Sequence, residues 1–474
     1  MSETQRPASE VEHLGSGLKV RHLTMMGLGS AIGAGLFLGS GVGIAAAGPA
    51  IIVSYLLAGV MIIFVMRMLG EMGAALPVSG SFSHYARIGI GRWAGFSMGW
   101  LYWFMLIMVL GVEITGASAI VQSWLPGVPQ WVVALGFVTF FAVVNLAQVA
   151  NFGEFEFWFA ALKVAVIVGF LIIGILLVFG LLPGTEPVGT THLLGDGDGF
   201  APNGIAGVAA GLLAVAFAFG GIEIVTIAAA ESKDPERSIA TAVRSVVWRI
   251  SVFYLGSISI MVLVLPWTAA SGETSPFVSV LDIAGIPYVS GFMELVVVIA
   301  LLSAFNANVY GTSRMAYSLA RGGDGPAWLS KLTHHGVPRN AVLVSVFFGF
   351  VSVWLNWLLP DTILGILLNA VGSALIAIWL FIVVSHLRLR RRFEQEGTLR
   401  LRMWLFPYLS WFTLAMLIGF IALMLSDSAA RVQLASTFVL FLIITVLGLI
   451  WHRTHDRATL SHPSDRPAPR PRDR

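Results

Sequence analysis

Along the chain, long apolar runs alternate with short polar stretches. A helix needs about 20 apolar residues to cross a bilayer core of ~30 Å. Twelve segments reach that length, near residues 23–47, 50–75, 93–121, 130–149, 154–181, 204–230, 244–267, 288–319, 340–359, 362–386, 404–425 and 432–451. The ninth and tenth are separated only by Pro360 and Asp361. The pattern predicts an all-α integral membrane protein with twelve transmembrane helices. Residues 1–18 form a polar tail with no apolar core, so no cleavable signal peptide is expected ahead of the first span. Residues 452–474, rich in Pro and Arg, read as a disordered cytoplasmic tail.

Composition supports the spans. Of 474 residues, 57% are hydrophobic and only 11% charged, with a mean hydropathy of +0.85. A soluble chain carries roughly 25% charged residues, so a large soluble enzyme and a disordered chain are both disfavoured. All but two of the 28 Lys and Arg lie in the two tails or in the loops, with their flanking helix ends, that join even to odd spans. The exceptions are Lys163, inside the fifth span, and Arg431, on the opposite side. This positive-inside pattern predicts that both termini are cytoplasmic. It also makes the net charge of +3 a topology signal, with no nucleic-acid partner implied. The basic loop at Arg388, Arg390, Arg391 and Arg392 reads first as a stop-transfer anchor, with anionic-lipid binding as the alternative. No long hydrophilic insertion leaves room for a soluble catalytic or nucleotide-binding domain. None of the four lysines follows a glycine, so the phosphate-loop signature is absent and ATP is not expected to drive the protein. No cofactor and no metal is expected; cysteine is absent altogether.

Two spans look deliberately broken. The first contains GLGSAIGAGLFLGSGVG (27–43), and the sixth contains FAFGGIEIV (217–225), with Gly220 and Gly221 beside Glu223. Unwound backbone at membrane depth survives where it lines a cavity. Its free N–H groups suit a carboxylate, and its free carbonyls suit an ammonium. Close helix packing is the competing explanation, since Gly29/Gly33 and Gly35/Gly39 fit small-xxx-small spacing. The two spans run in opposite directions at matching places in two groups of five, however, as expected of an inverted repeat with its substrate site at the midplane.

Ionisable groups inside the membrane are costly and mark function. Lys163 sits about nine residues into its span, ~14 Å deep at 1.5 Å per residue. It is either a proton carrier or a structural cation hydrogen-bonded to the unwound carbonyls of the first span. Glu113 and Glu223 are the acidic candidates for proton coupling or gating, and Glu113 could equally be a helix–helix hydrogen-bond partner. Glu294 lies near the outer end of the eighth span and is expected to snorkel. Arg67 and Glu71, four residues apart, are expected to form a helical ion pair. The GFSMG string at 95–99 lies in an apolar helix with no strand before it, so it is not read as a nucleophile elbow. His334 and His335 are adjacent and cannot share a helical metal face.

On these residues the chain resembles bacterial amino acid permeases of the amino acid–polyamine–organocation superfamily, over residues 15–451. The strings that carry the resemblance are IGAGLFLGSG (32–41), MRMLGEM (66–72), PVSGSFSHYA (77–86), GEFEFWFAALKV (153–164), FAFGGIEIVTIAAAESKDPERSI (217–239) and NVYGTSRMAYSLA (308–320). EIVTIAAAES (223–232), VVWRISVFY (246–254) and LRLRMWLFPYLSW (399–411) look closest to the 4-aminobutyrate (GABA) permeases. FAFGGIE and SKLTHHGVP also occur in forms typical of proline and aromatic permeases. Ala307 and Asn308 depart from the family, which usually has Ser and a small apolar residue there.

The resemblance implies a five-plus-five inverted repeat of the leucine-transporter type plus two C-terminal helices. Repeat one would cover about 23–181, repeat two about 204–386, and helices 11 and 12 about 404–451, within a permease domain at 19–451. By the same likeness, the Ala34 and Gly35 amides bind the substrate carboxylate. Carbonyls near Ile32, Phe217 and Gly220 receive the amino group, with Gly33 and Gly221 completing the two breaks. Lys163 matches the position where a lysine replaces a bound sodium ion in proton-driven relatives. The implied function is a secondary active transporter of the bacterial cytoplasmic membrane. It would import a zwitterionic amino acid, best guess GABA, by proton symport with alternating access. The alternative is a proline, aromatic or small neutral amino acid permease, or an exchanger of the same fold.

Overall fold

The computed structural model describes residues 32–78, 81–146, 152–223, 235–270, 274–333 and 336–460. The polar tail 1–18, the start of the first span, the end of the sixth, His334 with His335, and the last residues of the C-terminal tail lie outside them. Every described element is a helix or turn, and there is no strand among the described residues.

In chain order the helices are α1 (Ala34–Phe37), α2 (Gly39–Ala47), α3 (Ile51–Ala75), α4 (Ser81–Gly89), α5 (Arg92–Trp124), α6 (Gln130–Leu146), α7 (Phe152–Val178) and α8 (Gly204–Ala218). They continue as α9 (Pro235–Arg249), α10 (Gly256–Val264), α11 (Pro276–Ile283), α12 (Val289–Arg321), α13 (Arg339–Leu358), α14 (Ile363–Gln395), α15 (Tyr408–Met424) and α16 (Ser428–Leu460). Helix stands at each of the twelve apolar segments read from the sequence. Among the described residues, 8 stretches are long and apolar enough to cross a membrane; α6, α8 and α15 are shorter apolar helices. The protein is a multi-pass membrane protein.

α12 and α14 pack against α5, and α2 lies against α8, so the glycine-rich first span and the sixth are neighbours at the centre. α15 and α16 flank α14 and turn many of their apolar side chains outward, as a lipid-facing surface requires. A π-helical turn, Ile250–Leu255, joins α9 to α10 and shifts the side chains beyond it by one position.

Glu71 departs from its expected pairing with Arg67. Its buried carboxylate accepts from His386 Nε2 at 3.2 Å, from Arg390 Nη1 at 2.5 Å and from the Met403 N–H. Arg67 turns away, donating through Nε to the Arg402 carbonyl at 2.9 Å with its guanidinium 5.0 Å from the Trp404 ring centre. A fully buried carboxylate is best satisfied by several donors at once. α14 and the segment before α15 supply three; one half-buried neighbour on the same helix would supply fewer. Glu294 accepts from Trp124 Nε1 at 2.7 Å. Ser97 of the GFSMG string lies within α5 and shares a hydrogen bond with Thr445 at 2.8 Å, so its role is in packing.

Candidate functional site

The first break is built on glycine. Gly33 precedes α1 in an extended conformation and has no side chain with which to cap the helix. α5 delivers the cap: the Ala34 N–H donates to both carboxylate oxygens of Glu113, at 3.3 Å each. A Cβ on Gly33 would lie 2.6 Å from Glu113 Oε1, so the missing side chain is what admits the carboxylate. α1 is then interrupted at Leu38 before α2 begins. A Cβ on Gly35 would lie 2.6 Å from Ala218 Cα, so α1 and the end of α8 meet backbone to backbone.

The second break follows α8. The Gly220 N–H donates to the Phe217 carbonyl at 2.9 Å, and Gly221 turns the chain with φ +87°, a conformation that favours glycine. Glu223 folds back on this turn. Its Oε2 accepts from the Gly221 N–H at 3.0 Å and its Oε1 from Trp379 Nε1 of α14 at 2.7 Å. The Tyr254 hydroxyl, from the π turn, donates to the Ala218 carbonyl at 3.0 Å, while its ring lies 5.0 Å from that of Phe219.

Between the breaks is a cavity of about 20 Å³, room for roughly one water molecule. Its lining includes Gly33, Gly35 and Glu113 together with Ala218, Gly220 and Gly221. Met105, Leu106 and Val109 of α5, with Phe217, make an apolar wall, and Asn308 of α12 faces the same space. The site is closed: an amino acid enters only if the surrounding helices move.

Of the residues expected from sequence, Gly33, Gly35, Phe217, Gly220, Gly221 and Glu113 thus line one cavity. Ile32 and Ala34 are fully buried beside it, Ala34 taking part through its N–H. Lys163 is fully buried and is not a wall residue, but its charge acts on the Glu113 carboxylate. Glu223 is likewise buried outside the cavity, held by Gly221 and Trp379. The Ala34 amide, expected to receive a substrate carboxylate, is here occupied by the protein's own acid.

Sequence reasoning did not place Met105, Leu106, Val109, Ala218, Tyr254 or Trp379. The first four are apolar residues in apolar helices, and nothing in their spacing distinguishes a cavity wall from packing. Trp379 resembles the other scattered tryptophans. Asn308 was visible as a departure from the family, without a location. Among the described residues, no group of His, Asp and Glu gathers as a metal site would require.

A family profile described as "Amino acid permease" matches residues 22–463. The chain is 56% identical to the aromatic amino acid transport protein AroP of Corynebacterium glutamicum, over 94% of this chain and 96% of that protein. It is 44% identical to the gamma-aminobutyric acid permease of Bacillus subtilis, over 92% of this chain and 93% of the relative. The gamma-aminobutyric acid permease of Escherichia coli is 42% identical, over 91% and 93%.

Proposed function

This chain belongs to the amino acid permease family, and from that premise we propose that it imports a zwitterionic amino acid by proton symport, an aromatic amino acid in the first instance. The observation that carries the substrate is the 56% identity to a protein named for aromatic amino acid transport. The apolar wall of Met105, Leu106, Val109 and Phe217 fits an apolar side chain once the cavity opens. GABA, the expectation from sequence motifs, is the second reading, favoured by the relatives at 44% and 42% identity that are named for it.

The twelve helices are read as a five-plus-five inverted repeat with two additional helices, both termini cytoplasmic. The first break and α8 move relative to α5 and α12 during alternating access. The substrate carboxylate takes the Ala34 and Gly35 amides, and the carbonyls near Ile32, Phe217 and Gly220 receive its amino group. Glu113 then competes for the same amide. Protonating Glu113 weakens its hold on the Ala34 N–H, because a neutral acid is the poorer acceptor. Substrate entry and proton binding are thereby linked at one atom, with Lys163 as the neighbouring charge. Glu223, fastened outside the cavity, caps the second break.

The test is uptake of radiolabelled phenylalanine and GABA, in parallel, into proteoliposomes under an inward proton gradient. Phenylalanine accumulation that collapses with a protonophore and resists excess GABA is the expected result. GABA accumulation that resists phenylalanine selects the second reading. Counterflow with no proton requirement would make the protein an exchanger.

A further inference from the structure

A second cavity, far larger than the first, lies away from the two breaks. It has a volume of about 400 Å³ and is bounded by the start of α5, the outer face of α16 and the segment after α12. Its walls include Phe96, Trp100, Trp103 and Trp451, with Ile444 and Leu447 of α16. Leu447 is 55% exposed on a helix that faces lipid, so the cavity opens to the bilayer. It falls in the size range of small-molecule pockets, which runs from roughly 300 to 1,000 Å³.

Two polar features show that hydrocarbon alone does not complete it. The indole N–H of Trp103 is buried and has no hydrogen-bond partner among the described residues. Asp324, 4% exposed, has Oδ1 without a hydrogen bond; His452 Nε2 stands 3.6 Å away. The other Asp324 oxygen forms an ion pair with Arg87. Beside the cavity, Arg92 is exposed and shares a hydrogen bond with His452 at 3.1 Å, and Arg453 follows His452 along the chain and is exposed. Among the described residues that line the cavity, Asp324 is the one acid, and it is already paired with Arg87, leaving the exposed Arg92 charge beside it. The rim is therefore positive at the end of α5 and α16 where the arginine-rich loops gather, and basic pockets between helices at that depth suit anionic headgroups.

We propose that this cavity is a binding site for an anionic phospholipid of the leaflet facing the arginine-rich loops. An acyl chain lies against Ile444, Leu447 and the aromatic walls. An ester carbonyl accepts from Trp103, the phosphate faces Arg92, and a headgroup hydroxyl donates to Asp324 Oδ1. A buried donor without an acceptor is rare in a native protein and calls for a partner; a glycerophospholipid supplies one at the boundary between chain and headgroup.

The test uses the full-length protein in nanodiscs and three photoactivatable lipids with a diazirine in one acyl chain: phosphatidylglycerol, phosphatidylethanolamine and diacylglycerol. Cross-linked peptides are mapped by mass spectrometry. Phosphatidylglycerol is expected to label residues 96–104 and 440–454 above the general lipid-facing background. Ile444→Trp and, at the more exposed position, Leu447→Trp fill the cavity and remove that label. Arg92→Gln lowers the preference for phosphatidylglycerol over diacylglycerol about five-fold, the effect of one arginine at a membrane surface. Labelling equal to that of other lipid-facing helices, or unchanged in both tryptophan variants, overturns the site. Equal labelling by phosphatidylethanolamine or diacylglycerol overturns the anionic assignment. Cross-links between two protein chains through these residues would assign the cavity to a second copy instead, and would overturn the proposal as well.

Discussion

Each of the two broken helices sets a carboxylate on an unwound backbone N–H, but the two carboxylates are held differently. At the first break, Glu113 arrives from another helix, faces the cavity, and shares one N–H between both oxygens at 3.3 Å. At the second, Glu223 comes from the break itself, lies outside the cavity, and gives each oxygen its own donor at 3.0 and 2.7 Å. Long, shared hydrogen bonds are weak and short, separate ones strong. An acid that must exchange its partner during a cycle is suited by the first arrangement, and an acid that must hold a turn together by the second. Burial alone does not separate the two, since both side chains are nearly inaccessible.

The contrast breaks most sharply at Glu113. Replacing Glu113 by Gln should remove concentrative uptake, lowering the accumulation ratio by at least about tenfold, equivalent to ~1.4 kcal/mol of coupling. Counterflow and thermal stability should stay close to those of the unaltered protein. Lys163→Ala is expected to follow the same pattern in proteoliposomes, and full proton-driven accumulation by that variant would end the coupling role of the lysine.

Glu223→Ala should do the reverse. It leaves the Trp379 N–H without this acceptor, removes the hydrogen bond that Gly221 makes to the same carboxylate, and should cost about 1–3 kcal/mol, read as a lower melting temperature in detergent. Glu223→Gln keeps an acceptor for Trp379 and should retain proton-driven accumulation; loss of accumulation at wild-type stability would move Glu223 into the coupling machinery.

Gly35→Ala probes the backbone contact that joins the two breaks. Its Cβ would meet Ala218 Cα, and overpacking of this kind costs roughly 1–3 kcal/mol. Substrate affinity should fall with it, measured by saturation of counterflow. The smallest effect is expected of Tyr254→Phe, which frees the Ala218 carbonyl at a cost of about 1 kcal/mol. If the substrate ammonium then uses that carbonyl, the Michaelis constant changes while the maximal rate holds.

Much of the fold was legible because membrane crossing imposes length and composition. Helix occurs at all twelve apolar segments, and the glycines at 33, 35, 220 and 221 do bring the two breaks to one cavity. Partner choice between distant helices was not legible. A four-residue spacing favoured Arg67 for Glu71, whereas the donors come from His386, Arg390 and Met403. Likewise, nothing in the string around Glu223 names Trp379, and nothing in α5 says that Met105 and Val109 face the site while their neighbours pack. Such choices depend on the angle and register at which helices meet, which a single sequence does not display.

The Glu71 cluster also has a consequence for how the chain is made. Glu71 precedes His386 by 315 residues and Arg390 by 319. At ~5–20 residues per second of synthesis, the acid leaves the ribosome roughly 15–60 s before the partners that will bury it. Throughout that interval the second span carries a carboxylate without its donors from His386, Arg390 and Met403, with Arg67, four residues before it, as the nearby charge on its own helix. A chain halted ahead of residue 386 lacks all three of these donors, so burying Glu71 as it is buried here requires nearly the whole chain.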